Sequence, residues 1–204
     1  MSADEPGLPA RVVDRPFTLP GVTGGTLVRH ADSRGAFREV WRAGTFQAIP
    51  PADAGLPPGV EAHFVQANLS TSAAGVLRGL HYHRRQLDYW TVLSGTAVVA
   101  LVDVRPPIAG VGSAVVELRT LEADDWVVIP TGVAHGFLAM TPIDLLYLVT
   151  NEYDGTDELG FAWDDAAVGV PWPAVPGTPD GQPILSDRDR SNPTLADLVA
   201  RLRG

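Results

Sequence analysis

Gly75-Val-Leu-Arg78-Gly-Leu-His81-Tyr-His83-Arg-Arg-Gln-Leu-Asp88-Tyr-Trp90-Thr-Val-Leu-Ser-Gly95-Thr-Ala-Val-Val-Ala-Leu-Val-Asp-Val104 is the densest β text in the chain. Trp90 to Val104 reads as two strands joined by a turn at Ser94-Gly95. His81 and His83 stand two apart, so on a strand they share a face. Asp88 reaches that face from the next strand. Downstream, Pro130-Thr-Gly132-Val-Ala-His135 ends the short apolar run Trp126–Ile129 and puts His135 on a facing strand. Working outward, His63–Leu69 and Ser113–Leu121 alternate, and His135–Met140 pairs with Leu145–Thr150 across Thr141-Pro142. Short strands at close, regular spacing, with turn signals between them, predict an all-β sandwich or barrel. No glycine-rich phosphate loop links a strand to a helix, which excludes a dinucleotide-binding or P-loop fold.

The flanks complete one domain over residues 1–204. Residues 1–9 are expected to be a loose tail, and 10–62 an N-terminal β extension with a loop or short helix over 43–62. Residues 63–150 are expected to form the core, and 151–204 a wrapping segment and a terminal helix. For that helix the text predicts Asn192 as N-cap and Pro193 at the first helical position. Leu195, Leu198, Val199 and Leu202 then form its apolar stripe.

The chain has 204 residues, a formal net charge of −9, no cysteine and no lysine; all 15 basic side chains are arginine. Thiolate nucleophiles, cysteine metal sites and lysine Schiff bases are therefore excluded. Arginine can clamp an anion but does not readily exchange a proton, so proton chemistry falls to His, Asp, Glu or Tyr. The acidic balance argues against a nucleic-acid surface. The polar N-terminus is unlike a signal peptide, and no apolar run approaches a membrane span. The expectation is a cytoplasmic protein with neither nucleic acid nor membrane as partner.

His81, His83, Asp88 and His135 are donors of the type that suits a first-row divalent metal; the same histidines can equally serve as hydrogen-bonded strand residues. Their spacing resembles the two motifs of the cupins, a β-barrel superfamily. Gly75, His81, His83, Asp88 and Gly95 fall in the first motif, with Asp88 where Glu is usual. Pro130, Gly132 and His135 fall in the second, whose later Asn is Ala139 here.

A narrower resemblance covers nearly the whole chain. The blocks Asp32-Ser-Arg34-Gly-Ala-Phe-Arg-Glu39, Phe64-Val-Gln66-Ala-Asn68-Leu-Ser70, Gly75-Val-Leu-Arg78-Gly-Leu-His81-Tyr, Ile129-Pro-Thr-Gly-Val-Ala-His135-Gly-Phe, Glu158-Leu-Gly-Phe-Ala-Trp163-Asp-Asp165 and Pro183-Ile-Leu-Ser186-Asp-Arg-Asp189 are similar to the dTDP-4-dehydrorhamnose 3,5-epimerase family, the sugar-nucleotide branch of the cupins. The resemblance implies an all-β double-stranded β-helix (jelly roll). It implies a homodimer in which the segment bearing Arg34 contributes to a shared site, and no cofactor. It implies His81 as catalytic base, Asp189 as its orienting carboxylate and Tyr147 as the acid on the opposite face. Arg34, Glu39, Gln66, Asn68, Arg78, His135, Glu158 and Arg188 then form the substrate-binding set.

The implied reaction is epimerisation at C3, C5 or both of a nucleotide-linked 4-keto-6-deoxysugar, in deoxysugar biosynthesis. The residue types suit it. A histidine backed by a carboxylate takes the proton next to the ketone, and a tyrosine returns one from the other face. Donors or positive charge stabilise the enolate between the two steps, and arginines hold the diphosphate bidentately. The family carries a lysine at the position of Asp88, and a second lysine at that of Arg188. Arginine keeps the charge; aspartate reverses it beside an enolate oxygen, which opposes catalysis. Two other readings stay open. One is a metal-dependent cupin enzyme on His81, His83, Asp88 and His135, with a divalent transition metal as Lewis acid. The other is a non-catalytic sugar-nucleotide-binding protein. Arg84 and Arg85 adjoin the histidine strand and are open as pocket or solvent residues.

Overall fold

The computed structural model describes residues 8–46, 63–178 and 181–204. The expected jelly roll is present as two five-stranded antiparallel sheets. The first runs, in spatial order, β1 (Thr23–Thr26), β9 (Asp125–Ile129), β6 (Asp88–Ser94), β11 (Ile143–Val149) and β4 (Gln66–Ser72). The second runs β12 (Leu159–Gly160), β5 (Leu77–Tyr82), β10 (Val133–Ala139), β7 (Thr96–Asp103) and β8 (Val115–Glu122). A small hairpin, β2 (His30–Asp32) and β3 (Gly35–Phe37), stands apart from both.

Alternation explains the layers. Trp90 and Val92 of β6 and Ala97, Val99 and Leu101 of β7 point between the sheets, where they meet Val127, Ile129, Phe137 and Leu145. Their neighbours Ala100 and Val102 point outward and are covered by Phe161, Leu195 and Leu198. Tyr89 points out of the first sheet and packs with Leu87, Val128 and Leu148, with Trp41 and Phe64 against them. The unbroken apolar run from Ala97 to Val102 thus reflects a strand buried on both faces. Gly95 has a φ of 86°, and a Cβ there would lie 2.1 Å from the Pro142 carbonyl oxygen. Only glycine fits that turn.

The terminal helix starts later than its sequence suggests. It spans Leu195–Arg203 (α4), and its N-cap is Thr194, not Asn192. Thr194 Oγ1 accepts from the Asp197 amide, and the Asp197 carboxylate accepts from the Thr194 amide. That reciprocal capping box satisfies two donors at once, whereas the Pro193 carbonyl is taken by the Ala162 amide. Three short helices complete the described residues: α1 (Ala43–Phe46), α2 (Arg105–Ala109) and α3 (Asp187–Arg190). Of the loop expected over 43–62, residues 47–62 lie outside the described residues, as do 1–7 of the tail. Pro9, at the end of that tail, accepts a 2.7 Å hydrogen bond from Thr120. Among the described residues no helix is long and apolar enough to cross a membrane.

Candidate active site

The sheets splay at one end around a cavity of about 420 Å³. Strand pairing decides which side chains face it. Tyr147 pairs with Asn68, and Val149 pairs with Gln66 on one side and Asp88 on the other. Gln66, Asn68, Asp88 and Tyr147 therefore share one wall. The opposite wall carries His81 and Arg78 on β5 and His135 on β10. Arg78 and His81 are three apart, which on a regular strand would set them on opposite faces. The pairing of β10 with β5 shifts register between His135 and Phe137, and both side chains reach the cavity. Gly79 makes the close approach possible: a Cβ there would lie 2.7 Å from Gly136 Cα.

His81 Nε2 lies 2.9 Å from Asp189 Oδ1. Asp189 is buried in α3, and Ser186 fixes it twice: its hydroxyl donates to Oδ2 at 3.0 Å and accepts from the Asp189 amide at 3.1 Å. Burial pushes the Asp189 carboxyl up, but the His81 hydrogen bond and charge, with Ser186 and Arg188, outweigh it and leave the pKa below its usual value. An ionised Asp189 accepts from Nε2–H, which leaves the Nδ1 lone pair as the basic atom. Tyr147 is half-buried, and burial followed by the charge of Asp88 raises its pKa. Its phenol is therefore held protonated, as a proton donor must be.

The substrate-binding set divides. Gln66 donates to Asn68 Oδ1 at 2.8 Å and accepts from the Tyr153 amide at 2.9 Å. Arg78 donates to Ser72 at 3.0 Å. Glu158 and Arg188 form an ion pair at the rim. All five line the cavity with His135. Arg34 and Glu39 do not. The Arg34 side chain is 88% exposed and paired with Asp32 on the β2–β3 hairpin, and Glu39 pairs with Arg42. Arg85 faces the cavity, while both Arg84 and Arg85 donate main-chain amides to the buried Asp157 carboxylate at 3.1 and 2.9 Å.

The four-ligand metal set is not assembled. His83, Asp88 and His135 bring one ligand atom each within 4.8 Å of one another, but His81 is committed to Asp189. His135 Nε2 stands 3.9 Å from Asp88 Oδ2, and Gln86 Nε2 donates to Asp88 at 3.2 Å. Burial first, and the neighbouring histidines, hold His135 neutral with a pKa of about 4, against the opposing pull of Asp88.

Sequence reading assigned no role to Ser186, Asp157, Trp90 or Phe137. Ser186 was findable, because Ser-x-x-Asp is a helix-start signature. Trp90 stacks edge-on against His135, with ring centroids 5.0 Å apart, and with Phe137 walls the cavity. Asp157 acts across 73 residues, a separation no local pattern signals.

The sequence profile described as dTDP-4-dehydrorhamnose 3,5-epimerase matches residues 16–197. A dTDP-4-dehydrorhamnose 3,5-epimerase of Mycobacterium tuberculosis is 34% identical over 196 residues, which are 91% of this chain and 89% of that protein. The structure of a 4-keto-6-deoxy sugar epimerase from the novobiocin cluster of Streptomyces spheroides is similar, with a TM-score of 0.73 and 30% identity; the match covers 97% of this chain and 96% of that one. A 3'-monoepimerase from Streptomyces bikiniensis in complex with dTDP-quinovose gives a TM-score of 0.71 at 26% identity, over 92% of this chain and 98% of that one.

Proposed function

The chain belongs to the dTDP-4-dehydrorhamnose 3,5-epimerase family, and we propose that it epimerises a dTDP-linked 4-keto-6-deoxysugar at C3, C5 or both, in deoxysugar biosynthesis. The observation that carries this reading is the His81–Asp189 pair on one wall of the cavity with Tyr147 on the other. His81 Nδ1 removes the proton α to the C4 ketone, and Asp189 stabilises the imidazolium that results. Tyr147 O–H returns a proton to the opposite face, which inverts the carbon. Arg78, Arg85 and Arg188 line the cavity and supply planar donors for the diphosphate.

Arg34 and Glu39 enter the site when a second copy lends its hairpin. Two observations support a homodimer. The hairpin carries Phe37 at 70% exposure, and the edge strand β4 carries Leu69 at 61%, an apolar surface of the kind partners cover. The deciding experiment is incubation with dTDP-4-keto-6-deoxyglucose in deuterated water, followed by proton NMR. Exchange at C3 alone, or at C3 and C5, assigns the regiochemistry. Affinity for the nucleotide without exchange at either carbon would leave a binding protein and sink the enzymatic reading.

A further inference from the structure

We propose that Asp88, with His135 and His83 beside it, is a specificity subsite for a protonated primary amine, so that the preferred substrate is an amino sugar carried on the nucleotide. The three side chains line the cavity, and one nitrogen or carboxylate oxygen of each lies within 4.8 Å of the other two. Hydrogen bonds orient the rings. His83 Nδ1 lies 2.8 Å from the Asp157 carbonyl oxygen, and His135 Nδ1 lies 3.1 Å from the Val133 carbonyl oxygen. A carbonyl only accepts, so each Nδ1 carries a hydrogen, and Nε2 is the nitrogen left to accept in a neutral ring. Burial first, and then the neighbouring histidines, hold His135 neutral against the pull of Asp88. Its Nε2 therefore keeps a lone pair, 3.9 Å from Asp88 Oδ2.

The charge at residue 88 has no cation of this chain to meet it. Asp88 is 2% exposed. Gln86 donates to it at 3.2 and 3.4 Å, and among the described residues no arginine pairs with it. The arginines that line the cavity are engaged elsewhere: Arg188 with Glu158, Arg85 with Thr156 and Arg78 with Ser72. The chain has no lysine. A buried anion is costly unless a cation joins it, and here the cation comes with the ligand. Number and span select an ammonium. A sugar hydroxyl offers one hydrogen, whereas an ammonium offers three and a positive charge. An ammonium nitrogen about 2.8 Å from each acceptor holds them roughly 4.6 Å apart, so the three side chains already have the span it needs.

The place of the amine on the sugar rests on the epimerase reading. With a ketone at C4, the nucleotide at C1 and a methyl at C6, and with C5 bonded to the ring oxygen, the amine sits on C2 or C3. Asp88 alone opposes a negative charge developing on the ketone oxygen. A substrate ammonium beside it offsets that charge and stabilises the enolate formed when His81 takes the proton.

The test is calorimetry on the full-length protein with nucleotide sugars that carry a 4-hydroxyl and so bind without turnover. The probes are dTDP-3-amino-3,6-dideoxyglucose, dTDP-2-amino-2,6-dideoxyglucose and dTDP-6-deoxyglucose. One amino sugar should bind about ten-fold or more tighter than the hydroxyl sugar, as a charged hydrogen bond implies. Its N-acetyl derivative, which keeps an N–H and loses the charge, should lose that gain. Asp88→Asn, checked for folding by circular dichroism, should bring the ratio of the two affinities close to one. Equal or weaker binding of both amino sugars overturns the subsite, as does a preference that persists in the N-acetyl sugar or in Asp88→Asn. Solvent deuterium exchange into dTDP-4-keto-6-deoxyglucose and its amino counterpart tests the epimerase reading separately. Exchange without a preference for the amine overturns the subsite alone. A preference for the amine without exchange into either ketone overturns the epimerase reading and leaves the subsite.

Discussion

Two histidine–aspartate groups share one cavity and are built in opposite ways. At the rim, His81 is 24% exposed at its side chain, and its Nε2 is hydrogen-bonded directly to a carboxylate that is itself capped by Ser186. Deeper, His83 and His135 give their Nδ1 hydrogens to main-chain carbonyls, and the carboxylate of Asp88 stops 3.9 Å short of His135. The difference teaches what each imidazole is set to do. An ionised partner stabilises the imidazolium, so the first histidine can take and hold a proton. A carbonyl only accepts, so it holds the other two rings with the hydrogen on Nδ1, and burial keeps His135 neutral. One aspartate therefore orients the base, and the other stands buried across the cavity from it, with Gln86 as a hydrogen-bond donor.

The sharpest way to break this contrast is at His81. His81→Asn should lower kcat for epimerisation about a thousand-fold or more, with nucleotide affinity nearly unchanged by calorimetry. A loss below ten-fold would move the base elsewhere, with His83 next in line. Tyr147→Phe should lower kcat about a hundred-fold while wash-in of solvent deuterium to the starting sugar persists, because it removes the returning proton and not the base. Equal loss of inversion and exchange would place Tyr147 in the first step.

Asp189→Asn should cost roughly ten- to a hundred-fold in kcat, by analogy with other residues that orient a ligand or base. It should also change the acid limb of stability. Asp189 has a folded pKa below its ordinary value of 3.8, so its contribution is fully present above pH 3.8 and is lost as pH falls through the lower folded value. Chemical denaturation across that window should show a shallower acid loss in the variant; an identical pH profile would deny the coupling. The smallest effect is expected for Ser186→Ala, which removes the cap of a one-turn helix. It should lower stability by about 1 kcal/mol, read as a shift in urea midpoint, with His81→Asn epistatic to it in kcat.

How legible the two groups were differs for a physical reason. The alternation of β6 and β7 and the turn at Gly95 are local, and they were readable as strands and a hairpin. Asp88 lines the same cavity as the histidines, but from the facing sheet and not from their own face. The helix start was misread because both Asn192 and Thr194 have capping side chains. The choice was made by Asp197 returning the bond and by Ala162 claiming Pro193 from another segment. The four-ligand metal set failed for the same reason: Asp189, 108 residues away, took His81. Arg34 and Glu39 matched the family text, yet this single chain holds them in exposed local ion pairs.

By itself the sequence determined the strand periods, the turns, the exclusion of cysteine and lysine chemistry, and the inventory of groups able to move a proton. Those follow from side-chain identity and from spacings of a few residues. Only the tertiary structure decided which nitrogen of each histidine is engaged, and which aspartate became a partner and which was left facing a lone pair. Those outcomes depend on register between strands and on contacts across scores of residues. A reversal of charge at residue 88 was visible in the sequence. That it stands buried beside His135 and the half-buried His83, while His81 is held by Asp189, was settled by the packing of the two sheets and the closing helix α3.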